Sequence, residues 1–222
     1  MTRRQARGRF VTLEGGEGAG KSTQIRLLAQ WLQARGIPVL TTREPGGTTG
    51  AERIRTLLVE GATDAWTPMT EALLNYAARH DHVSRVIEPA LAAGTWVLSD
   101  RFADSTMAYQ GHGHALGQPA IAALHRAVLG RFKPDLTLIL DIPVELGLAR
   151  AAARRGAETR YESMAEAFHH RVRAGFRAIA RTEPGRCALI DARADADAVH
   201  RRVTRRVARL LGPARGTGSS AR

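Results

Sequence analysis

The sequence predicts a three-layer α/β fold: a five-stranded parallel sheet with helices on both faces and a helical lid. Two observations carry that expectation. Short apolar runs alternate with longer helical patterns along most of the chain, the signature of strand–helix–strand units. Four of the apolar runs end in an acid, Glu14, Asp100, Asp141 and Asp191, which places charged groups together at the strands' C-terminal edge. In parallel sheets ligands collect at that edge.

Residues 1–9 are polar and basic and are expected to be a disordered N-terminal extension. Phe10–Glu14 reads as the first strand and runs into a Gly-rich turn. From Lys21 to Ala34, Ile25, Leu28 and Leu32 share one face, as a helix requires, and Gly36 and Pro38 end it. Val39–Thr42 fits a second strand, Trp96–Asp100 a third, Leu136–Asp141 a fourth and Ala188–Asp191 a fifth. Leu146–Arg155 reads as a helix opening a lid over about 150–162. The last helix carries Val199, Val203, Val207 and Leu210 on one stripe, with Arg201, Arg202, Arg205, Arg206 and Arg209 mainly off it as a solvated basic face. Residues 212–222 have the composition of a flexible tail, which leaves 10–211 as one domain.

A chain of 222 residues, 44% hydrophobic, can bury a single substantial core. No run of eighteen apolar residues occurs and the N-terminus lacks an apolar signal core, so no membrane association and a cytoplasmic location are expected. Cys187 is the single cysteine; it excludes an intramolecular disulfide and a cysteine metal cluster, and its apolar neighbours suggest a buried strand. The net charge of +12 suits polyanions. It is almost wholly arginine, against two lysines, Lys21 and Lys133, and this Arg/Ala-rich composition looks like a coding bias; specific nucleic-acid binding does not follow.

Gly15-Gly16-Glu17-Gly18-Ala19-Gly20-Lys21-Ser22, with Thr23 behind it, matches G-x-x-x-x-G-K-[ST] in full, with a strand before it and an amphipathic helix after it. Glycines let the backbone curl into a nest of N–H groups, and the helix adds its positive end. Lys21 then bridges the β- and γ-phosphates of ATP and Ser22 holds Mg²⁺. The pattern implies a P-loop NTPase fold, without separating a phosphotransferase from an ATPase or a switch.

Three further clusters suggest a second, phosphorylated substrate. Thr42-Arg43-Glu44-Pro45-Gly46-Gly47-Thr48 places an arginine at a strand end beside a tight turn, where a guanidinium can meet a phosphate. Tyr76-Ala77-Ala78-Arg79 precedes His80 and His82, which read as polar helix residues. Asp100-Arg101-Phe102 is followed by Ser105-Thr106-Met107-Ala108-Tyr109-Gln110-Gly111.

With these motifs the chain, from about Phe10 to Leu211, resembles the bacterial thymidylate kinases, which phosphorylate dTMP with ATP. The resemblance implies an acceptor-phosphate site at Arg43 and Pro45, and a base contact at Arg79. It implies a phosphate clamp at Arg101, base contacts from Ser105, Thr106 and Gln110, and Tyr109 against C2′ of the sugar. Asp100 would hold Mg²⁺ through water and Glu17 would approach the 3′-OH. The catalytic arginine of such enzymes is in the lid, which points to Arg155 or Arg160, with Arg154 left open. Arg150 is either an adenine contact or a solvated helix position. Homodimerisation is implied by the resemblance alone.

Two residues depart from the family pattern. Thr159 replaces a lid aspartate. Asn75, four residues before Arg79, stands where the family places a Phe that stacks on thymine. Either dTMP binds more weakly or with help from Tyr76, or the base preference has moved, for example toward dUMP. The alternative class of function is a P-loop switch ATPase that binds nucleic acid through its basic surface.

Overall fold

The computed structural model describes residues 6–153 and 160–211. Five strands, β1 (Phe10–Glu14), β2 (Val39–Arg43), β3 (Trp96–Asp100), β4 (Leu136–Asp141) and β5 (Cys187–Asp191), form one sheet in the order β2-β3-β1-β4-β5. Every pairing is parallel. The register sets Arg43 and Leu13 opposite Asp100, and Asp141 opposite Asp191, so the strand-end acids do gather at one edge. The second strand reaches one residue further than expected and the fifth begins one earlier.

Side chains alternate across the sheet. Val11 and Leu13 face α1 (Lys21–Gln33) through Ile25, Leu28 and Leu32, and α9 (Ala196–Val207) through Val199, Val203 and Val207. On the opposite face Phe10, Val97 and Phe102 meet Val83, Ile87 and Leu91, and Ile139 meets Tyr109, Phe168 and Phe176. The expected valine stripe of the last helix is therefore core. Cys187 is buried in β5.

The remaining helices are α2 (Thr49–Val59), α3 (Pro68–His82), α4 (Glu88–Ala92), α5 (Ala103–Thr106), α6 (Gln118–Leu129), α7 (Val144–Ala152) and α8 (Glu166–Thr182). Among the described residues, side-chain caps start three helices: Thr48 accepts from Ala51 N, Thr67 accepts from Thr70 N, and Asp195 accepts from Ala198 N. Helix α1 has no side-chain cap and no acid in its first turn, so its N-terminal N–H groups stay available to a ligand. Two helical runs widen into π-turns, Val83–Ile87 between α3 and α4, and Met107–Gly113 after α5. The second carries Tyr109 and Gln110, and such a widening re-aims side chains relative to α-helical spacing. Among the described residues no helix is long and apolar enough to cross a membrane.

Candidate functional site

At the C-terminal edge of β1, β2 and β3 a cleft of about 620 Å³ opens. The P-loop from Glu17 to Ser22 forms one wall. Arg43, Pro45, Asn75, Arg79, Asp100, Arg101, Ser105, Thr106, Tyr109 and Gln110 also line it, so the three clusters, far apart in sequence, meet in one cavity with the P-loop.

The P-loop is fixed from behind. Gly18 has φ +64° and lies so close to α7 that a Cβ there would come within 2.0 Å of the Gly147 carbonyl oxygen. A Cβ on Gly147 would in turn meet the Glu17 carbonyl at 2.5 Å. Two facing glycines thus let the loop and the root of the lid touch backbone to backbone. Lys21, nearly buried, donates to the carbonyls of Gly15 and Gly16 at 3.2 and 2.9 Å. Burial and the Arg101 charge push its ammonium down to about 8, against the pull of Asp100, Glu17 and Glu14.

Arg101 follows β3 with φ 68°, a conformation non-glycine residues rarely adopt. Its guanidinium reaches the Gly15 carbonyl at 3.1 Å, the Ser105 hydroxyl at 3.2 Å and Glu17 Oε1 at 2.8 Å. The Tyr109 hydroxyl donates to the same Glu17 oxygen at 2.6 Å, and the Tyr109 ring lies under Arg101. Burial pushes the Glu17 carboxyl up, but Arg101, Lys21 and the Tyr109 hydroxyl outweigh it and hold the group at about 2. The result is an ionised carboxylate and a guanidinium side by side at the mouth of the phosphate nest.

The backbone strain at Arg101 is held by Glu14. Its carboxyl, fully buried, accepts from Phe102 N at 2.7 Å and from the Ser105 hydroxyl at 2.5 Å. Burial and the nearby Asp104 push this carboxyl up to about 8, against Ser105, Arg101 and the Phe102 N–H. The folded protein therefore keeps a proton on Glu14 between its ordinary value near 4.5 and about 8, where the unfolded chain has lost it. Stability falls as pH rises through that window. Glu14→Gln is expected to flatten that fall, read as thermal midpoints at the two ends of the window; an unchanged slope would contradict the assignment.

Arg79 is buried between the Tyr76 and Phe102 rings. It donates to Glu44 at 2.7 Å, to the Phe102 carbonyl and the Thr106 hydroxyl at 3.1 Å, and one terminal nitrogen, Nη1, has no protein partner. A buried guanidinium nitrogen without a partner, on a residue that lines a cleft, keeps a hydrogen bond unspent. Glu44 is fixed in turn by His82, whose other ring nitrogen meets the Thr42 hydroxyl at 2.7 Å. His82 is thus a buried member of this network. Arg43 sits at the rim, paired with Glu52, and Arg55 donates to the Pro45 carbonyl at 2.8 Å while also lining the cleft.

Ser22 donates to Asp100 at 2.8 Å at the head of α1. A hydroxyl and a carboxylate, all-oxygen and partly open, suit Mg²⁺. Thr23 lies exposed in the same first turn.

Two expected contacts do not face the cleft, those of Arg160 and Tyr76. Arg160 is fully buried: it donates to the carbonyls of Leu58, Ala62 and Thr63 and pairs with Glu71, so it anchors the end of the lid and does not face the cleft. Its chemical type matches a mobile lid arginine, but its guanidinium is already surrounded by acceptors. Arg150 leans on the Ala192 and Arg193 carbonyls at 3.3 Å, beside Gly18. Arg155, with Arg154, lies outside the described residues. Tyr76 is buried beneath Arg79 and does not line the cleft, so it offers no substitute for the aromatic ring missing at Asn75. Asn75 does line it, with its amide nitrogen donating to the Glu71 carbonyl at 2.9 Å.

Comparison with known proteins agrees with this geometry. The profile of the thymidylate kinase family matches residues 13–203. A thymidylate kinase of Caulobacter vibrioides is 60% identical over 205 residues, which cover 92% of this chain and 98% of that protein. One from Rhodopseudomonas palustris is 56% identical, with 98% and 96% covered. A crystal structure of thymidylate kinase from Ehrlichia chaffeensis has a TM-score of 0.73 at 34% identity, over 90% of this chain and 98% of that one. The chain belongs to the thymidylate kinase family.

Proposed function

We propose that the cleft transfers the γ-phosphoryl group of ATP to the phosphate of dTMP, giving dTDP and ADP. The observation that supports this reading is the convergence of Lys21, Arg101 and Arg79, the last with an unpaired guanidinium nitrogen, on one cavity at the P-loop. An ATPase needs the first of these; an acceptor nucleotide accounts for all three.

The P-loop amides and the α1 terminus hold the β- and γ-phosphates, and Lys21 leaves the Gly15 and Gly16 carbonyls to bridge them. Arg101, beside Gly15 and Glu17, holds the acceptor phosphate where its oxygen can attack in line. A P–O bond forms to the γ-phosphorus as the β–γ bridging bond breaks. The acceptor is already an anion, so no general base is needed. Arg43 and the Pro45 turn flank that phosphate. Glu17 receives the sugar 3′-OH and Tyr109 packs against C2′. Arg79, Ser105, Thr106 and Gln110 surround the base. Ser22 and Asp100 would hold Mg²⁺, which when bound neutralises charge on the phosphates. Arg155 remains the proposed closing arginine, with Arg150 at the ATP side. A side-by-side comparison of ADP release with dTMP, other nucleoside monophosphates and no acceptor tests the reading.

At the base, Asn75 provides an amide where a stacking ring would contribute about 1–3 kcal/mol. Asn75→Phe is expected to lower KM for dTMP roughly tenfold or more with kcat little changed. If KM for dTMP stays put while the dTMP/dUMP preference changes, Asn75 sets base choice and not affinity.

A homodimer is also proposed. Helix α6 is apolar, yet Ile121 is its one buried residue, and it packs on α3 through Tyr76 and Ala72. Leu57, Met69 and Leu73 stand exposed on α2 and α3 nearby. Apolar area of this kind suits a second copy. The solution mass should be twice that of one chain; a monomeric mass at assay concentrations would contradict it.

A further inference from the structure

Glu71 on α3 is fully buried and belongs to no motif read from the sequence. One of its oxygens pairs with Arg160. The other receives the Gln110 side-chain nitrogen at 2.9 Å and the Tyr161 hydroxyl at 3.2 Å, with His114 at 3.4 Å. Burial opposes its ionisation, but His114, Arg160 and Gln110 together hold the carboxyl below its ordinary range. Burial and the Glu71 charge push the Tyr161 hydroxyl in the other direction, so it stays protonated and donates to Glu71.

An ionised carboxylate can only accept hydrogen bonds, and this settles which way the Gln110 amide points. Its Nε2 donates to Glu71 and, at 3.3 Å, to the oxygen of Tyr161. Both N–H groups are therefore engaged on the protein side. Gln110 is buried and lines the acceptor cleft beside Asn75, Arg79 and Tyr161, so what it has left for a ligand is its carbonyl oxygen.

We infer that Glu71 is a positioning residue for base selection: it locks the Gln110 amide with its carbonyl toward the cleft, and this selects acceptor bases that present a ring N–H donor. Thymine and uracil carry such a donor at N3. Cytosine carries an acceptor at N3 and meets the carbonyl oxygen with a like dipole. A site built to pair with one hydrogen-bond pattern rejects its inverse strongly, because the buried group is left unpaired. The same carboxylate holds Arg160, which fastens the end of the lid to the Leu58, Ala62 and Thr63 carbonyls. Base reader and lid root thus share one buried charge.

The inference rests on the proposed acceptor site, and its test separates the two. In Glu71→Gln the new side chain can donate as well as accept, so the Gln110 amide is free to turn. The kcat/KM ratio of dTMP to dCMP is expected to fall about tenfold to a hundredfold, through KM for dTMP, with KM for MgATP unchanged. A fall by the same factor for both acceptors, leaving the ratio intact, would show that Glu71 only supports the fold and would overturn the inference. Gln110→Met keeps the Glu71–Arg160 pair and decides the matter if Glu71→Gln does not fold: the ratio should collapse to the same degree, and a retained ratio overturns the proposal. In the Gln110→Met background, adding Glu71→Gln should not move the ratio further. Wild-type protein that releases ADP with no nucleoside monophosphate at all would remove the acceptor site, and this inference with it.

Discussion

Arg101→Ala is expected to lower kcat/KM for dTMP by about 10³-fold while leaving KM for MgATP within a few-fold of wild type. The guanidinium sits between the Gly15 carbonyl and the Glu17 carboxylate, at the boundary of the phosphate nest and the acceptor side of the cleft. Phosphoryl transfer brings two anions together, and a fixed cation between them lowers that repulsion most where charge develops. Removing it also leaves Glu17 and Tyr109 facing each other without their countercharge. Arg101→Lys keeps a charge but not the fork that reaches Gly15, Ser105 and Glu17 together, so it should recover only part of the loss. An Arg101→Ala enzyme with near-normal turnover of dTMP would remove Arg101 from the reaction.

Gly18→Ala should be as damaging through ATP. A methyl at Gly18 would meet the Gly147 backbone oxygen at 2.0 Å and sit on a residue with φ +64°. Neither group belongs to a flexible side chain, so the P-loop or α7 must move, and the amides that cradle the phosphates move with it. KM for MgATP is expected to rise about a hundredfold or more, with a lowered thermal midpoint. Gly16→Ala is the control: a Cβ there meets nothing within 4 Å, so the thermal midpoint should stay near wild type. If both variants keep normal midpoints and normal KM for MgATP, the close contact between loop and lid root is not what shapes the cradle.

Much of this architecture was legible in the sequence because its signals are local. Buried parallel strands read as apolar runs, and β1, β3 and β4 fall where the runs do. The P-loop is likewise contiguous, with each residue type required by the geometry of a phosphate. Long-range burial was not legible. Arg160 and a mobile lid arginine are the same chemical type; what separates them is a set of carbonyls from residues 58–63 and the Glu71 carboxylate, nearly ninety positions away. Glu71 gave no signal because its partners come from the π-turn after α5, from His114 just past it, and from Arg160 and Tyr161 at the end of the lid. His82 and Glu44 stood in plain view as a polar helix residue and a turn residue, yet their shared role under Arg79 depends on α3 meeting Thr42 of β2 and the turn that follows it. The widened turn at Met107–Gly113 breaks α-helical periodicity, so the family motif, and not helical spacing, is what points Tyr109 and Gln110 to the cleft.

The central claim, that this cleft joins ATP to a thymidine monophosphate acceptor, is tested most directly by ADP release from MgATP measured in parallel with dTMP, dUMP, dCMP, dGMP and no acceptor. Strong release with dTMP, and little without an acceptor, is the result this structure predicts. Equal release with no acceptor, or release that depends on added DNA or RNA, would contradict it and put a P-loop switch ATPase in its place.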